Sequence, residues 1–166
     1  MAASLPVSHS LAASLLHSPT QVPSDIDAVT GDGAEVTLAQ AAVQELSDSL
    51  KGKLLMPGNE GYDEARLLLN PDFDKYPALV VRPSGAADIM NAVAFARERD
   101  LLVAVKCGGH SFSGKSTCQG GMQIDLSSYR NARVDAESRT AYIAGGSLLG
   151  ELDHESMAHG LVTTAG

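Results

Sequence analysis

The stretch from Ala78 to Gly121, ALVVRPSGAADIMNAVAFARERDLLVAVKCGGHSFSGKSTCQGG, narrows the possible folds more than any other part of the chain. ALVV (78–81) and LLVAV (101–105) are short apolar runs of strand length. Between them, Ile89, Ala92, Val93 and Ala96 fall at i, i+3, i+4 and i+7, one face of a helix that Ser84 is placed to cap. A strand, a helix and a second strand in this order predict a β-α-β unit with the two strands parallel. The glycine-rich stretch then starts at the carboxyl end of the second strand, where α/β folds usually hold their ligands.

The flanking segments complete an α+β expectation. Leu38, Ala42, Leu46 and Leu50 repeat every four residues and predict a helix over 37–50, with Thr37 and Gln40 at capping-box spacing. A shorter helical patch spans 63–69 and stops at Asn70-Pro71. MQIDL (122–126), ARVD (132–135) and TAYIA (140–144) read as short strands of an antiparallel meander. A helix follows over 147–159, with Gly160 and Leu161 suited to its C-cap. The fold expected is a β-α-β start running into mainly antiparallel strands, with helices packed outside. Residues 1–34, rich in Ser, Ala and Pro, read as a flexible leader, and 35–166 as one domain.

Charge and composition exclude several functions. The 166 residues carry a formal charge of -8, and no Lys or Arg precedes Lys51. Nucleic acid and anionic membranes both call for a basic footprint, so neither is an expected partner. No apolar run reaches membrane-span length, and the opening residues lack the basic segment of an export signal; a cytoplasmic location is expected. Two cysteines, Cys107 and Cys118, do not make a disulfide framework and are expected to be reduced. His154 and His159, with Glu155, resemble a zinc helix, but their spacing sets the rings about 140° apart, and no metal is expected.

The glycine-rich stretch itself admits two readings. From Gly109 to Ser116 it spells G-x-x-x-x-G-K-S, the phosphate-cradling P-loop pattern. That cradle depends on a helix opening directly after the loop. Here Gly120-Gly121 and a strand follow Ser116, and Asp125 comes too soon afterwards for a crossover to a parallel strand. The other reading starts at Lys106. Gly108 and Gly109 allow the backbone to approach an anion and form a nest of N–H groups. Lys106 adds charge, Ser111, Ser113 and Ser116 add hydroxyls, and His110 faces whatever the anion carries. This chemistry suits a diphosphate that is held and not transferred.

KCGGHS (106–111) resembles the pyrophosphate loop of the flavin-binding domain shared by vanillyl-alcohol oxidase, p-cresol methylhydroxylase and berberine bridge enzyme-like oxidases, the PCMH-type FAD-binding domain. The likeness continues through GGMQIDLS (120–127), RVDAESRTAYIAGGSLLGEL (133–152) and HGLVTTAG (159–166), and reaches upstream to about residue 50. The resemblance implies FAD as cofactor, with Lys106, Cys107, Gly108, Gly109, His110 and Ser111 around its diphosphate and Ser116 nearby. Gly145, Gly146, Thr164, Ala165 and Gly166 would line it from neighbouring strands. It also implies covalent attachment through His110, since a neutral imidazole is a competent nucleophile toward the flavin's 8α-methyl carbon. The activity implied is an oxidoreductase that takes a hydride from a small organic substrate and passes electrons to an acceptor such as oxygen. The family's second glycine-rich segment, substrate domain and catalytic base have no counterpart in these residues, so no catalytic residue is assigned. A P-loop nucleotide-binding protein and a non-catalytic binding fragment are the rival readings.

Overall fold

The computed structural model describes residues 19–164. In chain order the elements are β1 (Ile26–Val29), β2 (Glu35–Leu38), α1 (Gln40–Ser49), β3 (Lys53–Leu55), α2 (Tyr62–Arg66), β4 (Leu79–Arg82), α3 (Ala86–Glu98), β5 (Val103–Lys106), β6 (Met122–Asp125), β7 (Ala132–Asp135), β8 (Thr140–Ile143) and α4 (Leu149–Met157). The α+β class stands. β3, β4, β6 and β5, in that order, form a four-stranded sheet flanked by the hairpins β1–β2 and β7–β8.

Helices cover both faces of this sheet, because the short strands alternate their side chains. Leu54, Leu79, Val81, Met122 and Ile124 point to one face, where they pack with Val43, Leu46 and Leu50 of and beside α1 and with Ala92, Phe95 and Ala96 of α3. Leu55 and Val80 point to the other face, onto Tyr62 and Ala65 of α2. The tyrosine hydroxyl donates to the Pro77 carbonyl at 2.6 Å, and burial pushes its pKa up to about 12.

Three expectations need correction. First, β4 and β5 are parallel but not adjacent. β6 lies between them, parallel to both, with Leu79 and Val103 each opposite Met122. MQID is therefore not the first strand of a meander, and Asp125 does lie on a parallel strand: the crossover does not start after Ser116 but is the whole glycine-rich loop 107–121, between the neighbouring parallel strands β5 and β6. Of the three strands expected in the meander, β7 and β8 pair antiparallel as expected.

Second, residues 19–34 are not leader. Val22 and Ala28 are buried in the main core, β1 pairs with β2, and the end of β1 is bonded to Leu102 and Gly120. Residues 1–18 lie outside the described residues. Third, Thr37 does not cap α1, because it belongs to β2. The Asp25 carboxylate accepts the Gln40 N–H at 2.8 Å instead, so the helix start is held by the segment read as leader. At the other end of the chain the expectation holds. Gly160 has φ +66°, and the Leu161 and Gly160 N–H groups reach back to the Ser156 and Met157 carbonyls, the Schellman pattern.

Candidate functional site

β4, β5 and β6 run parallel, so Arg82, Lys106 and Asp125 end at the same edge of the sheet. The loop carrying His110 leaves from Lys106. The turn after Asp125 carries Leu126 and Tyr129, and the Gly145-Gly146 pair packs on that turn. The Gly146 N–H donates to the Tyr129 carbonyl at 3.1 Å, and a Cβ at Gly146 would overlap the Leu126 backbone. Both glycine clusters therefore meet at the carboxyl edge of the parallel strands, the position at which open α/β sheets take ligands.

Within the loop, Gly109 (φ +74°) and Gly114 (φ +68°) occupy left-handed backbone that favours glycine. Gly109 is buried, and its carbonyl accepts the Leu69 N–H at 3.0 Å, which seats the loop on the segment after α2. A Cβ at Gly108 would come within 2.9 Å of the His110 ring. His110 is exposed and, with Ser111 and Phe112, faces Leu69, Asn70, Pro71 and Asp72 across a cavity of about 410 Å³. Ser111 closes the next turn: its hydroxyl accepts the Lys115 N–H at 3.1 Å and its carbonyl the Gly114 N–H.

Among the described residues, the N–H groups from Gly108 to Ser113 donate to no protein acceptor. A run of unused donors around a left-handed glycine is the chemistry of an anion nest. The residues present therefore fit a diphosphate-bearing cofactor. They do so without the charge that the sequence reading gave to Lys106. That side chain is only 7% exposed and turns inward, donating to the Ala65 carbonyl at 2.6 Å and the Glu64 carbonyl at 3.3 Å. Burial holds its pKa below the ordinary lysine value, with Asp125 opposing the shift and Arg82 adding to it.

The remaining expected positions are less concentrated. Cys107 is a half-buried free thiol. Cys118 is buried and free, and burial pushes its pKa up to about 11. Ser116 is half-buried, with no helix after it, so the feature on which a P-loop depends is missing. Thr164 is exposed, while Ala165 and Gly166 lie outside the described residues. Asp125 behaves as an Asx turn, its Oδ1 accepting the Ser127 N–H at 3.1 Å. Its Oδ2 lies 3.3 Å from Arg82 Nε but has no well-aligned donor.

Sequence reasoning missed the far wall of the His110 cavity, residues 69–72, and the aromatic seat of Gly114, which packs against Phe73. The three consecutive leucines ahead of Asn70-Pro71 were a usable signal, because Leu69 is left 73% exposed beside the cavity.

Residues 77–165 match the family model of the FAD binding domain. The chain belongs to the FAD binding domain family. It is 36% identical over 129 residues to an FAD-linked oxidoreductase of Dictyostelium discoideum, an alignment covering 77% of this chain and 28% of that protein. The crystal structure of 6-hydroxy-D-nicotine oxidase from Arthrobacter nicotinovorans superposes with a TM-score of 0.64 at 28% identity, over 68% of this chain and 25% of the other. The berberine bridge enzyme-like 1 protein of Physcomitrella patens superposes at 0.59 and 25% identity, over 66% and 24%. The resemblance read from KCGGHS is thus supported, and FAD is the cofactor of the family. The chain spans about a quarter of the length of these relatives. No helix among the described residues is long and apolar enough to cross a membrane.

Proposed function

We infer that this chain is the FAD-holding part of a flavin-dependent oxidoreductase, that its loop 106–116 receives the cofactor's diphosphate, and that His110 is the point of covalent attachment. The observation that carries this reading is the run of unused N–H groups from Gly108 to Ser113, with His110 exposed at its centre beside a cavity. When bound, FAD supplies the hydride-accepting chemistry; the protein supplies binding, orientation and tuning. The backbone N–H groups of 108–113 hold the anion, with Gly109 supplying the left-handed turn among them. Gly108 leaves room for the imidazole, and the wall at 69–72 limits solvent on one side of it. Gly145 and Gly146 keep the β8–α4 connection tight against the turn after β6, and the family resemblance assigns Thr164, Ala165 and Gly166 to the same cofactor. The domain bearing it is taken as 35–166, with residues 19–34 packed onto it through β1 and the buried Val22 and Ala28.

The reading extends to a small organic substrate as hydride donor and to oxygen as electron acceptor, as the oxidase among the relatives suggests. A cytoplasmic location is proposed alongside it. The test is flavin fluorescence in the acid-precipitated product of the whole gene. Fluorescence that stays with the pellet, and is lost in His110→Ala, supports attachment at His110. Fluorescence released to the supernatant by the unsubstituted protein contradicts attachment, and a colourless native protein contradicts FAD binding itself.

A further inference from the structure

The sheet face that meets α2 carries a line of buried polar groups that the proposed cofactor contacts do not use. Lys106 of β5 and Asp125 of β6 are register partners, Gln123 sits two residues before Asp125, and Arg82 of β4 flanks them. Lys106, Gln123 and Asp125 are 7%, 0% and 1% exposed. An ammonium is not placed in such a position without partners, because its desolvation is strongly unfavourable. Here the partners are specific. The Ala65 carbonyl accepts from Lys106 Nζ at 2.6 Å and from Gln123 Nε2 at 2.7 Å, which uses both of its lone pairs. The Glu64 carbonyl takes a longer bond from Lys106 at 3.3 Å, and Asp125 compensates the charge. Both carbonyls lie at the end of α2, where a helix leaves its C=O groups unpaired.

A second tie lies three residues along the loop, where the Gly109 carbonyl accepts the Leu69 N–H at 3.0 Å. Residues 64–69 and 106–109 are thus joined at two points, three residues apart on the loop side and four apart on the α2 side, counted from Lys106–Ala65 to Gly109–Leu69. Between them Leu68 is buried, its Cα 3.8 Å from where a Gly109 Cβ would stand. The segment directly after this clamp, 69–72, is the wall facing His110.

We propose that Lys106 is a positioning residue: its ammonium, with Gln123, clamps the end of α2 to the root of the glycine-rich loop and so sets where His110 stands relative to the 69–72 wall. The functional half of this statement rests on the reading of the loop as the FAD site; the clamp itself does not. The role differs from phosphate binding, since the charged end points away from the loop's open face.

Amide hydrogen exchange on the 166-residue chain separates a local clamp from general stabilisation. The Leu69 amide reports the second tie, and the Met122 amide, bonded to the Leu102 carbonyl at 2.8 Å, reports the sheet. Lys106→Met should lower Leu69 protection at least about tenfold more than Met122 protection, and Lys106→Arg, which restores a charged donor, should recover most of the difference. Equal losses at both amides, or an Arg variant as loose as the Met variant, overturn the proposal. If Lys106→Met does not fold, Gln123→Leu withdraws the second donor from the same carbonyl, leaves the charges in place, and is read at the same amides. In the whole-gene product carrying His110→Ala, which leaves the cofactor unattached, free FAD followed by fluorescence should bind the added Lys106→Met variant at least about tenfold more weakly and the added Lys106→Arg variant nearly as the His110→Ala protein. Unchanged FAD affinity in a variant with a loosened Leu69 removes the functional half. If the parent carries no FAD, attached or free, the reading of the site fails while the amide comparison still decides the clamp.

Discussion

Gly114→Ala probes the part of the loop in which conformation and packing can be separated. At φ +68° an alanine stands in the left-handed region, at about 1–2 kcal/mol. Its methyl would also overlap the Phe73 ring. Phe73 is only half-buried and can partly give way, so the overlap costs about 1–3 kcal/mol. The sum, about 2–5 kcal/mol, is a large part of the roughly 5–15 kcal/mol that stabilises an ordinary domain. With a urea m-value of about 2 kcal/mol per molar, the unfolding midpoint should fall by about 1–2.5 M at unchanged slope. A double-mutant cycle with Phe73→Ala then divides the two causes. Removing the ring relieves the overlap but not the backbone strain, so the pair should couple by about 1–3 kcal/mol and leave about 1–2 kcal/mol unrecovered. Strict additivity, or a Gly114→Ala protein within about 0.5 kcal/mol of the parent, would show that the glycine is not there for this packing.

Other consequences are more local. Gly108→Ala meets no left-handed backbone, only the His110 ring at 2.9 Å, so stability should change by less than about 1 kcal/mol while flavin retention falls; paired melting curves and flavin content check this. Asp88 accepts the N–H groups of Gly52 and Ser84, each at 2.8 Å, and of Lys51 at 3.0 Å. Burial pushes its carboxyl up, but these donors outweigh burial and hold it below its ordinary value of 3.8. Its contribution is therefore full above about pH 4 and lost as pH falls through the lower folded value. Asp88→Ala should cost about 2–4 kcal/mol at pH 7 and lose less than the parent between pH 4 and pH 2, measured by urea unfolding at each pH. A disulfide-exchange reagent at pH 8 should label half-buried Cys107 quickly and Cys118, buried with its pKa near 11, only on unfolding.

Local chemistry explains which elements were legible before the structure. α3 and the end of α4 declare themselves through periodicity and the Gly160 cap, and β4 and β5 through apolar runs bounded by turns. The β1–β2 hairpin did not, because four-residue strands such as IDAV and EVTL place acids on their exposed sides and bury little beyond Ala28 and Leu38. Nor could the position of β6 be read locally. MQID has the same alternation whether its neighbour is parallel or antiparallel, and only tertiary pairing inserts it between β4 and β5. The sense of β5 was also hidden. Val103 and Val105 are 41% and 49% exposed while Lys106 points inward, against side-chain polarity, because Ala65, Gln123 and Asp125 wait on the inner face. The glycine-rich loop was legible as a site through its glycines and histidine, but its cavity wall, contributed from 40 residues upstream, was not.

The central claim is that the loop after β5 holds FAD through His110, and one peptide tests it most directly. Trypsin cuts after Lys106 and Lys115, releasing Cys107–Lys115 with His110 inside. In the product of the whole gene, that peptide should be yellow and heavier by one FAD or its flavin fragment, with fragmentation placing the added mass on His110. The same peptide at its unmodified mass, from a protein that nevertheless carries flavin, would contradict attachment at this histidine.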